Sequence, residues 1–345
     1  MMKEILDYRL QDQERLSGLV SVYNLFGKLF LEGVTPEAAD TLYNIPEFTD
    51  VTGECIAQLS EKGGSHDWSD LAAAQHYQLF GLAVLPYASV FLEADSNLGG
   101  EVTRNLASFM DQTGCQASNT DPAEHVGGLL KTLGYLVHAE QSAALNSSLE
   151  DISYWREQQY RLMEMFLLPW LPVFAFAVRL EGNQFFTRLC DFTLEVVNDH
   201  LLDLSVDISR SSDSLVWPQP PNLLDDPAVG IKDIAHFLVT PAASGIYFGR
   251  EAVASFARDL KLPRGFGARS QMLANLIRSA ASFDQVGLLL HRIDEAIADW
   301  QEYYRSFILR FPAMAFAIKE VWLPRSENTR RLIKQIENAE QGLEG

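Results

Sequence analysis

Cysteine is scarce in this chain. Cys55, Cys115 and Cys190 are the three present in 345 residues, and no two share a paired spacing. That excludes a disulfide scaffold and a cysteine-built zinc or iron–sulfur site, and it fits a reducing compartment. Positive charge is also in short supply, with 27 Lys and Arg against 46 Asp and Glu, a net charge of −19. The deficit is uneven: residues 1–205 hold 11 basic and 29 acidic side chains, the remainder 16 and 17. A surface of that sign repels nucleic acid and anionic lipid, both of which need a positive footprint. It suits a cationic ligand or a basic peptide, and equally it keeps a protein soluble. Successive runs of alternating β-branched residues are missing, so a sheet is not expected. The opening residues MMKEILDYRLQDQ lack an apolar core, so no secretory signal is expected.

Long hydrophobic runs are missing as well. The longest, Met165–Val178 (MFLLPWLPVFAFAV), covers 14 residues and contains Pro169 and Pro172. A membrane-spanning helix needs about 20. Two prolines instead predict a kinked, buried helix junction.

What is present is helical periodicity. Leu16, Leu19, Val20, Tyr23, Phe26, Leu29 and Phe30 recur at steps of three and four, the signature of one buried helical face between Leu10 and Phe30. Thr35 before Pro36 predicts a capped second helix. Further helices are expected at Ile56–Leu59, ending before Gly63-Gly64, then at Trp68–Val84, Val102–Met110, Val126–Val137, Ile152–Leu167 and Phe185–Leu204. A proline-rich linker spans 206–229, with Pro218, Pro220, Pro221 and Pro227, which cannot continue a helix. Helices resume at Ile231–Val239, Ala252–Leu260, Gln271–Ser282 and Phe283–Phe311, with a helix start at Thr240-Pro241. The charged tail from Glu327 reads as a fraying surface helix. The expectation is an all-α helical bundle in residues 1–205, a linker, and a helical C-terminal extension in 230–345.

Catalytic signatures are missing too. The chain has no phosphate-binding loop, HExxH, GxSxG or Cys-x-x-Cys, and its seven histidines include no pair at helical ligand spacing. No enzyme, cofactor or metal site is expected from these motifs. One stretch carries more information. In Asp121-Pro122-Ala123-Glu124-His125 a helix can open with Asp121 as cap, Pro122 in the first turn and Glu124 reaching back as a capping-box residue. Glu124 reads equally as a site carboxylate. His125 reads as a hydrogen-bonded histidine or as a neutral donor and acceptor beside an anion. Arg250, Arg258, Arg264 and Arg269 read as solvated arginines or as a patch against an acidic surface.

Three blocks together resemble the TorD/DmsD family of maturation chaperones for molybdenum enzymes. They are Pro86-Tyr87-Ala-Ser with Gly99-Gly100-Glu101-Val-Thr, Asp121–Leu130, and Leu168-Pro-Trp170-Leu-Pro172-Val-Phe174. Two positions depart from the family pattern: Ala88 stands in place of an acid, and Phe166 in place of a histidine. The segment 238–269 is similar to the tails of longer members. The resemblance implies an all-α, cytoplasmic chaperone with no catalytic activity and no cofactor. It would bind the apo catalytic subunit of a DMSO-reductase-type molybdopterin enzyme, through its twin-arginine leader, its mature body or both, and delay export until cofactor insertion. It implies neither nucleic-acid binding nor membrane insertion, and is compatible with a homodimer. Tyr87, Trp170, Pro172 and Phe174 would line an apolar peptide groove, with Glu124 and His125 at its polar end. Core packing is the other reading of Trp170 and Phe174. A helical adaptor for a folded redox partner and an enzyme on a helical scaffold are the alternatives.

Overall fold

The computed structural model describes residues 2–63, 67–116, 123–146, 148–204, 215–221, 223, 228–263 and 265–343. Among these residues every regular element is helical, and the one extended pairing is an isolated antiparallel bridge between Tyr87 and His125. The first part contains α1 (Met2–Glu32), α2 (Pro36–Leu42), α3 (Pro46–Gly63), α4 (Trp68–His76), α5 (Ala88–Leu92), α6 (Glu101–Thr113), α7 (Val126–Leu145), α8 (Leu149–Leu162), α9 (Leu171–Leu180) and α10 (Gln184–Leu204). The second contains α11 (Ile231–Val239), α12 (Pro241–Ser244), α13 (Arg250–Asp259), α14 (Arg269–Ser282), α15 (Val286–Arg310) and α16 (Leu323–Leu343).

The expected helices are present, with boundaries moved by local chemistry. Thr35 caps α2 by accepting from the Ala38 amide at 3.2 Å. The helix ending near Gly63 begins at Pro46, a proline at a helix start, where the missing N–H removes nothing. Gly64 lies outside the described residues. Trp68–Val84 runs on from α4 through a π-helical turn at Tyr77–Ala83. The apolar run around Pro169 breaks between the π-helical turn Met163–Leu167 and α9, with a 50° bend. No single helix among the described residues is long and apolar enough to cross a membrane, although this bent pair passes by length and composition. Its buried residues include Phe166, Leu167, Trp170 and Leu171–Val178.

The close packing of α1 on α7 is made possible by missing side chains. A Cβ on Gly127 would lie 2.5 Å from the Gly27 carbonyl oxygen, and one on Gly27 would lie 2.8 Å from the Gly127 oxygen. Only glycine allows two backbones this close. Arg156 on α8 then ties three helices together: it donates to Glu140 on α7 at 3.2 Å and to the Asp203 carboxylate and carbonyl on α10 at 3.1 and 2.8 Å.

The two parts share one apolar core. Phe176 on α9 stacks on Tyr303 at 4.1 Å and meets Trp300 edge-on. The Trp322 indole donates to the Pro169 carbonyl at 2.7 Å, Tyr303 to Pro172 at 2.9 Å and Tyr247 to Ala83 at 2.8 Å. Much of the linker, 206–214, 222 and 224–227, lies outside the described residues. Its described portion is pinned: the largely buried Arg325 donates to the carbonyls of Pro218 and Ala242 and lies over the Trp217 ring. Burial, with no carboxylate partner among the described residues, pushes this guanidinium down to about 10. The tail from Glu327 departs from the surface helix expected. Thr329 and Ile333 in α16 are fully buried, and Thr329 donates to the Ser244 carbonyl at 2.7 Å. Charged neighbours conceal this packing face in the sequence.

Candidate functional site

The sequence blocks 86–101 and 123–130 meet in one knot. The Val126 amide donates to the Pro86 carbonyl at 2.8 Å, and the Ala88 amide to the Glu124 carbonyl at 3.1 Å. These two bonds form the Tyr87–His125 bridge, and the two rings meet edge-on at 5.1 Å. Glu124 is 1% exposed. One carboxylate oxygen accepts from the Ser89 amide at 2.9 Å and the other from the Gly99 amide at 3.1 Å. Among the described residues, the hydrogen-bond partners of this carboxyl group are both backbone amides, whose dipoles favour a negative charge.

This geometry corrects the expectation for Glu124. The helix begins at Val126 and is capped by His125 rather than by Asp121, so Glu124 precedes the helix and does not act as its capping-box residue. Asp121 and Pro122 lie outside the described residues. Glu124 instead joins the start of α5 to the Gly99-Gly100 turn. His125 Nδ1 accepts from the Gly127 amide at 3.0 Å, which places the ring proton on Nε2. Burial, reinforced by neighbouring His76, lowers His125 to about 3. His76 is also lowered by burial, and its Nε2 donates to the Phe30 carbonyl at 2.8 Å.

The turn beside Glu124 has its own acidic clamp. Gly100 stands at the cap position of α6 and has no side chain to cap with. Glu93 supplies the missing acceptor, taking the Val102 amide at 2.8 Å at the positive end of the helix. A Cβ on Gly100, whose φ is +92°, would fall 2.5 Å from the Glu93 carboxylate. The legible trace of this clamp is a Gly-Gly pair before a helix, with an acid upstream.

The third block lies behind the knot. Trp170 stacks on Phe91 at 5.2 Å, and Phe174 meets both rings. The Trp170 indole donates to the Phe166 carbonyl at 2.7 Å. Trp170 and Phe174 are fully buried, and Pro172 is buried in the first turn of α9. Of the six residues Tyr87, Glu124, His125, Trp170, Pro172 and Phe174, Tyr87 alone keeps part of its side chain at the surface. Of the four arginines, Arg258 pairs with Glu251 at 2.5 Å, Arg269 lies over the Tyr247 ring, and Arg264 lies outside the described residues. Among the described residues no group of three or more His, Cys, Asp or Glu side chains could hold a metal ion.

Residues 45–175 match the family model described as nitrate reductase delta subunit. The chain is also similar to two curated proteins named chaperone protein TorD, from Vibrio vulnificus strains YJ016 and CMCP6. Each is 32% identical over 93 residues. That stretch is 26% of this chain and 42% of the length of those relatives. The matched family segment includes all three sequence blocks and the whole knot around Glu124, and it ends within α9.

Proposed function

We propose that this chain, a member of the TorD/DmsD family through residues 45–175, is a non-catalytic chaperone of molybdoenzyme maturation. Its client is the apo catalytic subunit of a DMSO-reductase-type molybdopterin enzyme. The chaperone holds that subunit by its twin-arginine leader, its mature body or both, and delays export until the cofactor is in place. The observation that carries this reading is the convergence of the family-like blocks 86–101 and 123–130 on one buried carboxylate, Glu124, inside the segment the family model matches. An arrangement this costly in buried charge gives the surface around Tyr87 a fixed shape.

Tyr87 is proposed as the direct contact, and Glu124, His125, Trp170, Pro172 and Phe174 as the residues that hold it in place. The charge of the first part supports a basic client segment, because carboxylates pair guanidinium forks well. Purification of the tagged full chain from its host tests the reading against its alternative. A maturation chaperone brings down the catalytic subunit without its molybdopterin. Recovery of assembled, cofactor-loaded enzyme instead would favour the adaptor reading.

A further inference from the structure

A cleft of about 590 Å³ lies away from the knot, and no residue of the family-like blocks lines it. Four glutamine carboxamides face it, beside Asn183, whose oxygen accepts from the Phe186 amide: Gln58 from α3, Gln75 from α4, Gln78 from the π-helical turn and Gln184 from α10. None of the four has a hydrogen-bond partner among the described residues. Leu79 and Leu82 give it an apolar wall, and Leu82 is 49% exposed. Glu181 and Glu251 complete the lining from opposite parts of the molecule, with Arg250 on the rim.

The two acids differ. Glu251 is paired with Arg258 at 2.5 Å. The side chain of Glu181, half-buried just past the end of α9, makes neither a hydrogen bond nor an ion pair among the described residues. Burial, together with repulsion from Glu251, raises its proton affinity. A carboxylate in that position gains most from an incoming cation. Side-chain amides present both N–H and C=O, the pair that an extended backbone requires. The volume falls within the range of formed ligand sites.

We propose that this cleft binds an extended client segment carrying an arginine, with the guanidinium on Glu181, the backbone on the glutamine amides and an apolar neighbour against Leu79 and Leu82. The proposal rests on the chaperone reading and refines it by giving the C-terminal extension a part in the site. Arg250, as the cation on the rim, opposes the incoming charge.

Fluorescence anisotropy on the full chain tests it, using a labelled synthetic peptide with two adjacent arginines followed by a leucine-rich stretch, and the same peptide with both arginines replaced by glutamine. Glu181→Gln removes no side-chain hydrogen bond or ion pair made with the described residues, and an unchanged melting temperature is its control. The substitution is expected to weaken the arginine peptide at least fivefold and to leave the glutamine peptide unchanged. Arg250→Gln is expected to tighten the arginine peptide. Binding of the arginine peptide that ignores both substitutions overturns the cleft assignment while leaving the chaperone reading intact. Failure of the peptide to bind at all overturns the cleft, and failure of the apo subunit to co-purify overturns the chaperone reading beneath it.

Discussion

Glu124 shows how much a single side chain organises here. Its two oxygens serve amides 35 and 25 residues away in sequence, at Ser89 and Gly99. Glu124→Gln keeps one acceptor and turns an N–H₂ toward the other amide, so a donor faces a donor. The expected cost is about 2 kcal/mol, the scale of a hydrogen bond to a charged group. A urea titration checks this, and an unchanged midpoint would remove Glu124 from the architecture. Local sequence favoured a capping box because Asp-Pro-x-Glu fits one. The actual partners are backbone groups remote in the chain, which no spacing rule reports.

Two buried histidines make stability depend on pH. Burial depresses His125, with His76 adding to it, and also His200, which is hydrogen-bonded to the Tyr23 hydroxyl at 2.8 Å. Both fall to about 3. In the unfolded chain each titrates near the ordinary value of about 6.5. Between those limits the unfolded state binds more protons, so stability is lost as pH falls. From pH 7 to pH 5 each histidine accounts for a loss of about 2 kcal/mol. His200→Gln is expected to remove its share from the slope of unfolding midpoint against pH, and a slope unaltered by that change would contradict the assignment.

Among the elements, the long periodic helices were readable from sequence. Of the stripe Ile293, Ile297, Trp300, Tyr304, Phe307, Ile308 and Phe311, the first five are buried along α15, Ile308 is half-buried, and Phe311 is buried just past the helix end. Short elements were not readable. The five residues of α5 are all buried, so they show no polar face to set a period; the break between α14 and α15, by contrast, falls after Ser282 as expected, at a turn with Asp284 at φ +56°. The junction of α7, α8 and α10 likewise escapes pattern reading, since it rests on Arg156 between Glu140 and Asp203. Glu140 is 3% exposed. Arg156→Ala would strand its charge, and about 3 kcal/mol of stability is expected to go with it. Arg156→Met with Glu140→Leu should recover most of that loss by removing both charges, as a thermal melt would show. A double variant no better than the single would mean the pair is not coupled.

At the scale of the whole molecule, the prolines at 218–227 set the expectation of a linker, and the helical part after it was legible from the periodicity of 231–311. How the parts join was not, because the contacts pair aromatic edges and carbonyls across the chain. Phe91 stacks on Tyr247 at 5.3 Å, and Trp322 reaches Pro169. The parts also differ in charge: nearly the entire net charge of −19 belongs to residues 1–205. The cleft bounded by Glu181 and Glu251 spans this division, where a basic segment would meet both an acid and an apolar wall.

Attraction between an acidic body and a basic leader must weaken when salt shortens the reach of exposed charges, from about 30 Å at 0.01 M to about 10 Å at 0.1 M. The most direct test is calorimetric titration of a synthetic twin-arginine leader into the full chain at those two ionic strengths. The expected result is a Kd higher by on the order of tenfold at the higher salt. An affinity indifferent to salt would contradict the account.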